Sequence, residues 1–241
     1  MANTCIIIPC YNEVNRLPSE DFIAFSKTNS PIHLLFVDDG SQDNTLAILK
    51  EISDSSLSVS LLTLEKNSGK AEAIRQGVLH LNNHYKTIGY LDADLSTPLS
   101  EITRLITIAQ TKNVAFVMGS RVKRSGATIN RRLKRHVFGR IIATFIDSCI
   151  LKLGIYDTQC GAKVIGAPLA KELFKTPFKT KWLFDVELLL RMKHKYGKAY
   201  CKNNILEIPL EYWRDIGASK ISFLDILIIP FDLLKLYFSR K

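Results

Sequence analysis

The sequence is most conspicuously short of acid in its middle: no aspartate or glutamate lies between Ile102 and Ile146. Ten cations occupy the same segment: Arg104, Lys112, Arg121, Lys123, Arg124, Arg131, Arg132, Lys134, Arg135 and Arg140. Cysteine is scarce too. The five (Cys5, Cys10, Cys149, Cys160, Cys201) are odd in number and lack C-x-x-C spacing, which argues against a disulfide framework. They predict reduced, mostly buried thiols in a cytosolic protein. Low-complexity tracts and internal repeats are missing. MANT runs straight into the apolar CIIIP, so no signal peptide is expected. Neither long apolar stretch spans a bilayer comfortably, since the C-terminal one is interrupted by Asp225, Pro230 and Asp232.

What is present is 241 residues, enough for a full core as one large domain or a domain with an appendage. The net charge is +10, but it is local. Taking those ten cations from the 33 basic residues leaves 23, which balance the 23 acidic ones. An anionic partner is expected to dock at the acid-free segment.

Apolar runs alternate with helical patterns through the first half. CIIIP (5–9) precedes a helix from Ser19 to about Asn29, and IHLLFV (32–37) precedes one capped at Ser41 or Asp43 that ends near Ile52. SVSLLTL (58–64), a helix opened by EKNSGK, KTIGYL, a helix from Leu99 to about Thr111, and NVAFVMG (113–119) complete five alternations. That pattern predicts a parallel sheet covered on both faces. After Gly119 it stops. A basic loop leads into an apolar helix over about 133–153, then come DTQCGAKVIG, a short helix after Pro168 and a helix in KWLFDVELLLRMKHKYG. AYCKNNILEIPLEYW has strand character, and ISFLDILIIPFDLLKLYFSRK closes the chain.

In an open parallel sheet, ligands bind beyond the carboxyl ends of the strands, so PCYNE, VDDGS and DAD should share one edge. Alternation along an extended YLDADLSTP would send Asp92 and Asp94 to one side with Ala93 facing away. Two hard oxygen ligands suit Mg²⁺ or Mn²⁺, with substrate phosphates completing the shell. Thr97 and Pro98 read as the N-cap and first residue of the next helix.

Pro9, Tyr11 and Glu13 could shape a pocket for a planar base, or simply connect strand to helix. Asp38 and Asp39, being adjacent, should face opposite ways, one holding a base or ribose and the other the loop. Asn67 and Gly69 precede Lys70 at a predicted helix N-terminus, a place suited to phosphate. Asp185 and Glu187, beside Trp182 and Phe184, are either proton acceptors or helix-capping surface acids.

Together IIIPCYNE, VDDGS, NSGKAEAIRQG, YLDADLS and GSR resemble the inverting glycosyltransferases of family 2, and stand in that family's order. DTQCGAKV, KWLFDVELL and EIPLEYWRDIGASKIS look like the dolichyl-phosphate glucosyltransferase branch, with the dolichyl-phosphate mannose synthases close behind. Ala162 departs from an aromatic in that branch. Ser96 departs from the mannose synthases' glutamine, which leaves a third protein ligand for the metal open. The resemblance implies an α/β GT-A fold: a Rossmann-like, mostly parallel sheet in a catalytic domain over 1–220, with a C-terminal acceptor-side region and an amphipathic helix over 221–241. It implies a UDP- or GDP-sugar donor held by Pro9, Tyr11, Glu13, Asp38, Asp39, Asn67, Lys70, Asp92, Ala93 and Asp94. A divalent metal would sit on Asp92 and Asp94, and a polyprenyl phosphate would be the acceptor for glucose or mannose. The catalytic candidates are Asp92, Asp94, Arg121, Asp185 and Glu187. Lacking the N-terminal anchor of eukaryotic glucosyl members, the sequence is expected to be bacterial or archaeal.

A phosphate acceptor is already anionic and needs cations more than a base. Arg121, Arg131, Arg132 and Arg135 are the candidates from the acid-free segment, joined by Arg214, Ser219 and Lys220. Asp225 and Asp232 fall on one helical face, leaving an apolar surface flanked by Lys235, Arg240 and Lys241. That suits a helix at the inner face of the cytoplasmic membrane, or one packed on the domain or on the second subunit of a homodimer. A competing reading keeps the fold but glycosylates a hydroxyl of a cell-surface glycan, which requires a proton acceptor. A nucleic-acid-binding module is disfavoured, because the basic segment lacks interleaved aromatics and the acidic clusters would go unexplained.

Overall fold

The computed structural model of the chain describes residues 3–28, 31–130, 142–216 and 223–238. The first apolar run becomes β1 (Thr4–Cys10), which is hidden on both faces. Such a strand has no polar side to alternate with, hence Ile6, Ile7 and Ile8 in succession. There follow α1 (Ser19–Lys27), β2 (Ile32–Asp38), α2 (Thr45–Asp54), β3 (Val59–Thr63), α3 (Lys70–His80), β4 (Thr87–Tyr90) and α4 (Leu99–Lys112). Farther on come β5 (Phe116–Ser120), β6 (Thr128–Asn130), a π-helical segment (Ile146–Leu151), β7 (Lys163–Gly166), α5 (Ala167–Leu173), α6 (Phe184–Asn204), β8 (Ile205–Pro209), β9 (Tyr212–Arg214) and α7 (Phe223–Phe238).

The main sheet has the order β3-β2-β1-β4-β7-β5-β8. The chain builds outward from β1 to β3 and then returns to lay β4 on the other side of β1. This reversal opens a crevice at the carboxyl ends of β1 and β4. β7 is antiparallel to both its neighbours, with Tyr90 opposite Lys163, so the loop before β7 arrives at the same edge. Helices cover both faces. Ile7, Leu35 and Val37 pack against α3, α5 and α6, while Ile6, Ile8, Leu34 and Phe36 pack against α1, α2 and α4. Each such fully buried side chain contributes about 1.5–3 kcal/mol.

Several local expectations shift. α4 starts at Leu99, and Pro98 is its N-cap with extended backbone (ψ 160°) rather than its first residue. Asn44 caps α2, one residue beyond Asp43. Residues 199–204, read as strand, continue α6, which bends at Gly197 (φ 81°). Of the helix expected over 133–153, residues 133–141 lie outside the described residues and Ile146–Leu151 is π-helical. Inside the basic loop, β6 pairs with β9 as a small second sheet. All five cysteines are thiols, four of them buried. α7 packs on the π-helical segment with Leu236 buried, and among the described residues no helix is long and apolar enough to cross a membrane.

Candidate functional site

The crevice between β1 and β4 is where the acidic residues gather. Past Tyr90 the backbone does not stay extended. Leu95 takes a left-handed conformation (φ 49°) and its N–H donates to the Asp92 carbonyl at 3.2 Å. A turn, not strand alternation, therefore brings Asp92 and Asp94 together, with Ala93 buried. The Asp94 carboxylate accepts the Ser96 N–H at 3.0 Å. Burial and then the Asp92 charge raise its pKa above the ordinary carboxylate value. Lys70 answers that repulsion, with its Nζ against Asp92 Oδ1. Burial would lower the affinity of this ammonium for its proton, but Asp92, Asp185 and Asp94 outweigh it and the pKa rises. Asp92 has room because residue 161 is glycine. A Cβ there would lie 1.9 Å from Asp92 Oδ2.

The two aspartates after β2 divide their work. Asp39 accepts the N–H groups of Ser68 (2.8 Å) and Gly69 (2.7 Å) and so orders the approach to α3. Burial nonetheless raises its pKa against those two bonds. The Asp38 carboxylate accepts a long bond from Ser41 N–H (3.4 Å), and among the described residues its buried Oδ1 has no partner. Gly40 (φ 67°) lets this loop press on the next, since a Cβ would come within 2.8 Å of the Lys66–Asn67 backbone. Asn67 Oδ1 accepts the Gly69 N–H at 3.1 Å. Glu13 is gripped by Arg16 at 2.7–3.0 Å, and Arg16 reaches Asp94 at 3.6 Å. Pro9 lies within β1 opposite Val37, and Tyr11 follows the strand half-buried.

The second half supplies the opposite wall. Arg121 donates to Asp157 through Nε (2.7 Å) and Nη2 (2.8 Å), and its guanidinium lies over Trp213. The Arg121 guanidinium, a candidate phosphate contact, is thus held by a carboxylate. The Arg214 side chain is exposed, and its N–H donates to the Ser96 carbonyl, fastening β9 to the acidic turn. Arg131, Arg132, Arg135, Ser219 and Lys220 lie outside the described residues.

Asp185 and Glu187 are not surface acids, being 4% and 5% exposed. Glu187 accepts the Lys179 N–H and the Arg191 guanidinium, each at 2.8 Å, and so clamps the 178–181 loop. Asp185 pairs with Lys163 Nζ at 2.7 Å and accepts the Tyr90 hydroxyl at 2.5 Å. Lys163 is fully buried and also donates to the Cys160 carbonyl. Sequence reasoning missed Lys163 and Tyr90. The signal was present as a lone lysine opening the apolar KVIG.

Buried polar atoms are seldom unpaired. Among the described residues the exceptions are Asp38 Oδ1, Ser120 Oγ, Thr158 Oγ1, Gln159 Nε2 and Trp182 Nε1. They lie at the ends of β2 and β5, in the loop before β7 and just ahead of α6, where a ligand's polar groups could complete them. A cavity of about 300 Å³ opens beside the N-terminus of α3, lined by Ser68, Gly69, Glu72 and the 178–181 loop. Asp92 and Asp94 have the hard-oxygen chemistry of a divalent-cation site. Among the described residues no cluster of three or more acidic, histidine or cysteine side chains could hold a metal, so a ligand would have to supply further donors.

A sequence model of glycosyl transferase family 2 matches residues 5–174. A dolichyl-phosphate beta-glucosyltransferase of Trichomonas vaginalis is 29% identical over 246 residues, covering 97% of this chain and 70% of the relative. Its namesake in Dictyostelium discoideum is 31% identical over 231 residues, covering 90% and 68%. Among solved structures, glucosyl-3-phosphoglycerate synthase from Mycobacterium tuberculosis, in complex with Mn²⁺, UDP and glucosyl-3-phosphoglycerate, has a TM-score of 0.72. It is 16% identical over 99% of this chain and 80% of that one, a likeness of fold.

Proposed function

The chain belongs to glycosyl transferase family 2, in the branch of the dolichyl-phosphate beta-glucosyltransferases, and from that premise we propose that it moves glucose from UDP-glucose to the phosphate of a polyprenyl phosphate, inverting the anomeric carbon. The observation that carries this reading is the pair Asp92, against Lys70, and Asp94, beside it, in the crevice between β1 and β4. Bound to those carboxylates, Mg²⁺ or Mn²⁺ supplies charge stabilisation for the departing diphosphate. Asp38 offers its unpaired oxygen to the base or ribose. Asp39 holds Ser68 and Gly69 so that the first turn of α3 presents its N–H groups to phosphate.

A phosphate acceptor also fits the acids on the far wall. Glu187 is occupied by Lys179 and Arg191, and Asp185 by Lys163 and Tyr90. An acceptor phosphate asks for no proton acceptor, so neither acid has to leave those partners for the transfer to occur.

Donor binding is tested by thermal unfolding. With Mn²⁺, UDP-glucose at about one hundred times its Kd should stabilise the protein by about 2.7 kcal/mol, a rise of roughly 5–10 °C. GDP-mannose should shift it little. Asp94→Asn should unfold near the wild-type temperature yet lose the donor-induced rise. An unchanged rise in that variant, or no glucosylated lipid from a short-chain polyprenyl phosphate, would overturn the reading.

The acceptor implies contact with a membrane surface, and α7 is suited to it. Ile228, Phe231, Leu234 and Phe238 are exposed at helical spacing on one apolar stripe. In co-sedimentation with phospholipid vesicles, Phe231→Glu combined with Phe238→Glu should weaken binding about tenfold or more, since each buried aromatic is worth on the order of 1.5–3 kcal/mol. Donor-induced stabilisation should persist. A wild-type chain that stays in the supernatant would remove the membrane contact.

A further inference from the structure

Asp92 and Asp94 do not face the crevice bare. Lys70, the first residue of α3, lays its ammonium against Asp92 Oδ1, and both side chains stay about one-third exposed (37% and 36%). The other carboxylates that act on Lys70 have cations of their own. Asp185 has Lys163 at 2.7 Å, and Asp94 has Arg16 at 3.6 Å. Among the described residues, Lys70 is the cation within ion-pairing distance of Asp92. The helix start that carries it is fixed from behind by Asp39.

We propose that Lys70 is a placeholder for the divalent cation: it neutralises Asp92 while the donor is absent and yields that carboxylate when the donor's diphosphate arrives, so that metal and nucleotide bind as one cooperative unit. This rests on the reading that Asp92 and Asp94 hold a metal for a nucleotide diphosphate. The argument is one of charge. Arg16 is balanced by Glu13, so the two carboxylates and the one ammonium leave a single negative charge. Adding a divalent cation alone reverses the sign in a partly desolvated crevice and sets two cations against one oxygen. A diphosphate changes both terms: it brings the missing negative charge and gives the ammonium new oxygens. Lysine suits such an exchange, being a compact point charge on a flexible stem that can swing while its backbone stays put. Binding linkage then requires that UDP tighten Mn²⁺ by the same factor as Mn²⁺ tightens UDP, and Lys70 sets the size of that factor.

The test measures metal binding directly, by electron paramagnetic resonance of unbound Mn²⁺ in titrations of the full chain with and without UDP. Wild type should bind Mn²⁺ weakly alone and at least tenfold more tightly with saturating UDP, within the usual range of such couplings. Lys70→Met should bind Mn²⁺ alone about tenfold more tightly than wild type and lose a like share of the UDP enhancement. Lys70→Arg, which keeps the charge, should resemble wild type. If Lys70→Met binds Mn²⁺ alone no more tightly than wild type while UDP still tightens both, the placeholder is overturned and the metal-nucleotide reading stands. If Mn²⁺ fails to bind wild type even with UDP, both fall.

Discussion

Gly161→Ala is expected to abolish metal-linked donor binding and glucosyl transfer while leaving the chain folded. The added Cβ would stand 1.9 Å from Asp92 Oδ2, 2.3 Å from Cγ and 2.6 Å from Oδ1. No real Cβ tolerates such contacts, so something must move. The carboxylate is the far end of a rotatable side chain, whereas Gly161 follows Cys160, whose carbonyl is tied to Lys163. Asp92 is therefore the group that swings away. Displacement of a reacting or metal-holding group by about 1 Å costs on the order of a hundredfold in rate. A loss of kcat/KM of at least about a hundredfold, with a stability change below about 1 kcal/mol, is the expected pair of measurements. Near wild-type turnover would show that Asp92 is not where the chemistry depends on it.

Lys163→Met should be the most damaging single change to stability. Lys163 is fully buried, and its partner Asp185 is 4% exposed. Removing the ammonium leaves a buried carboxylate with the Tyr90 hydroxyl and the more distant charge of Lys70, and breaking a buried pair in this way costs about 3–5 kcal/mol. For a chain of this size that is a fall of roughly 6–20 °C in Tm. Adding Asp185→Asn to Lys163→Met should recover most of the loss, because the uncompensated charge is then gone. Urea denaturation of the two single variants and the double closes the cycle, with an interaction of at least about 1 kcal/mol expected between residues in contact. A loss below about 1 kcal/mol for Lys163→Met alone would mean that Asp185 finds another cation or is reached by water.

The parallel half of the sheet was legible because strands buried on both faces leave unbroken apolar runs, and the polar clusters that end them mark one edge. β7 was harder to place. Nothing local in KVIG says that it enters between β4 and β5 in the opposite direction, since that register is fixed by distant partners such as Tyr90. For the same reason the sequence singled out Asp185 but not Lys163, and Arg121 but not the carboxylate that holds it. The acidic pair was recognised from its chemistry, although the turn at Leu95, not the strand pleat, sets its geometry. In the sequence Glu187 stands between proton acceptor and surface acid, because its place beside aromatics says nothing of the loop it fastens. The arginines at 131, 132 and 135, with Ser219 and Lys220, lie outside the described residues and remain a proposal for the acceptor phosphate.

The reversed strand has a consequence for how such a protein can diversify. Because β7 runs against its neighbours, the few residues ahead of it serve two strand ends at once: Asp157 grips Arg121 past β5, and Gly161 makes way for Asp92 past β4. A change in that stretch is felt by Arg121 and by Asp92 together. Variation would then have to arise in segments that support one of these two strand ends only, leaving this junction as the common bearing of both.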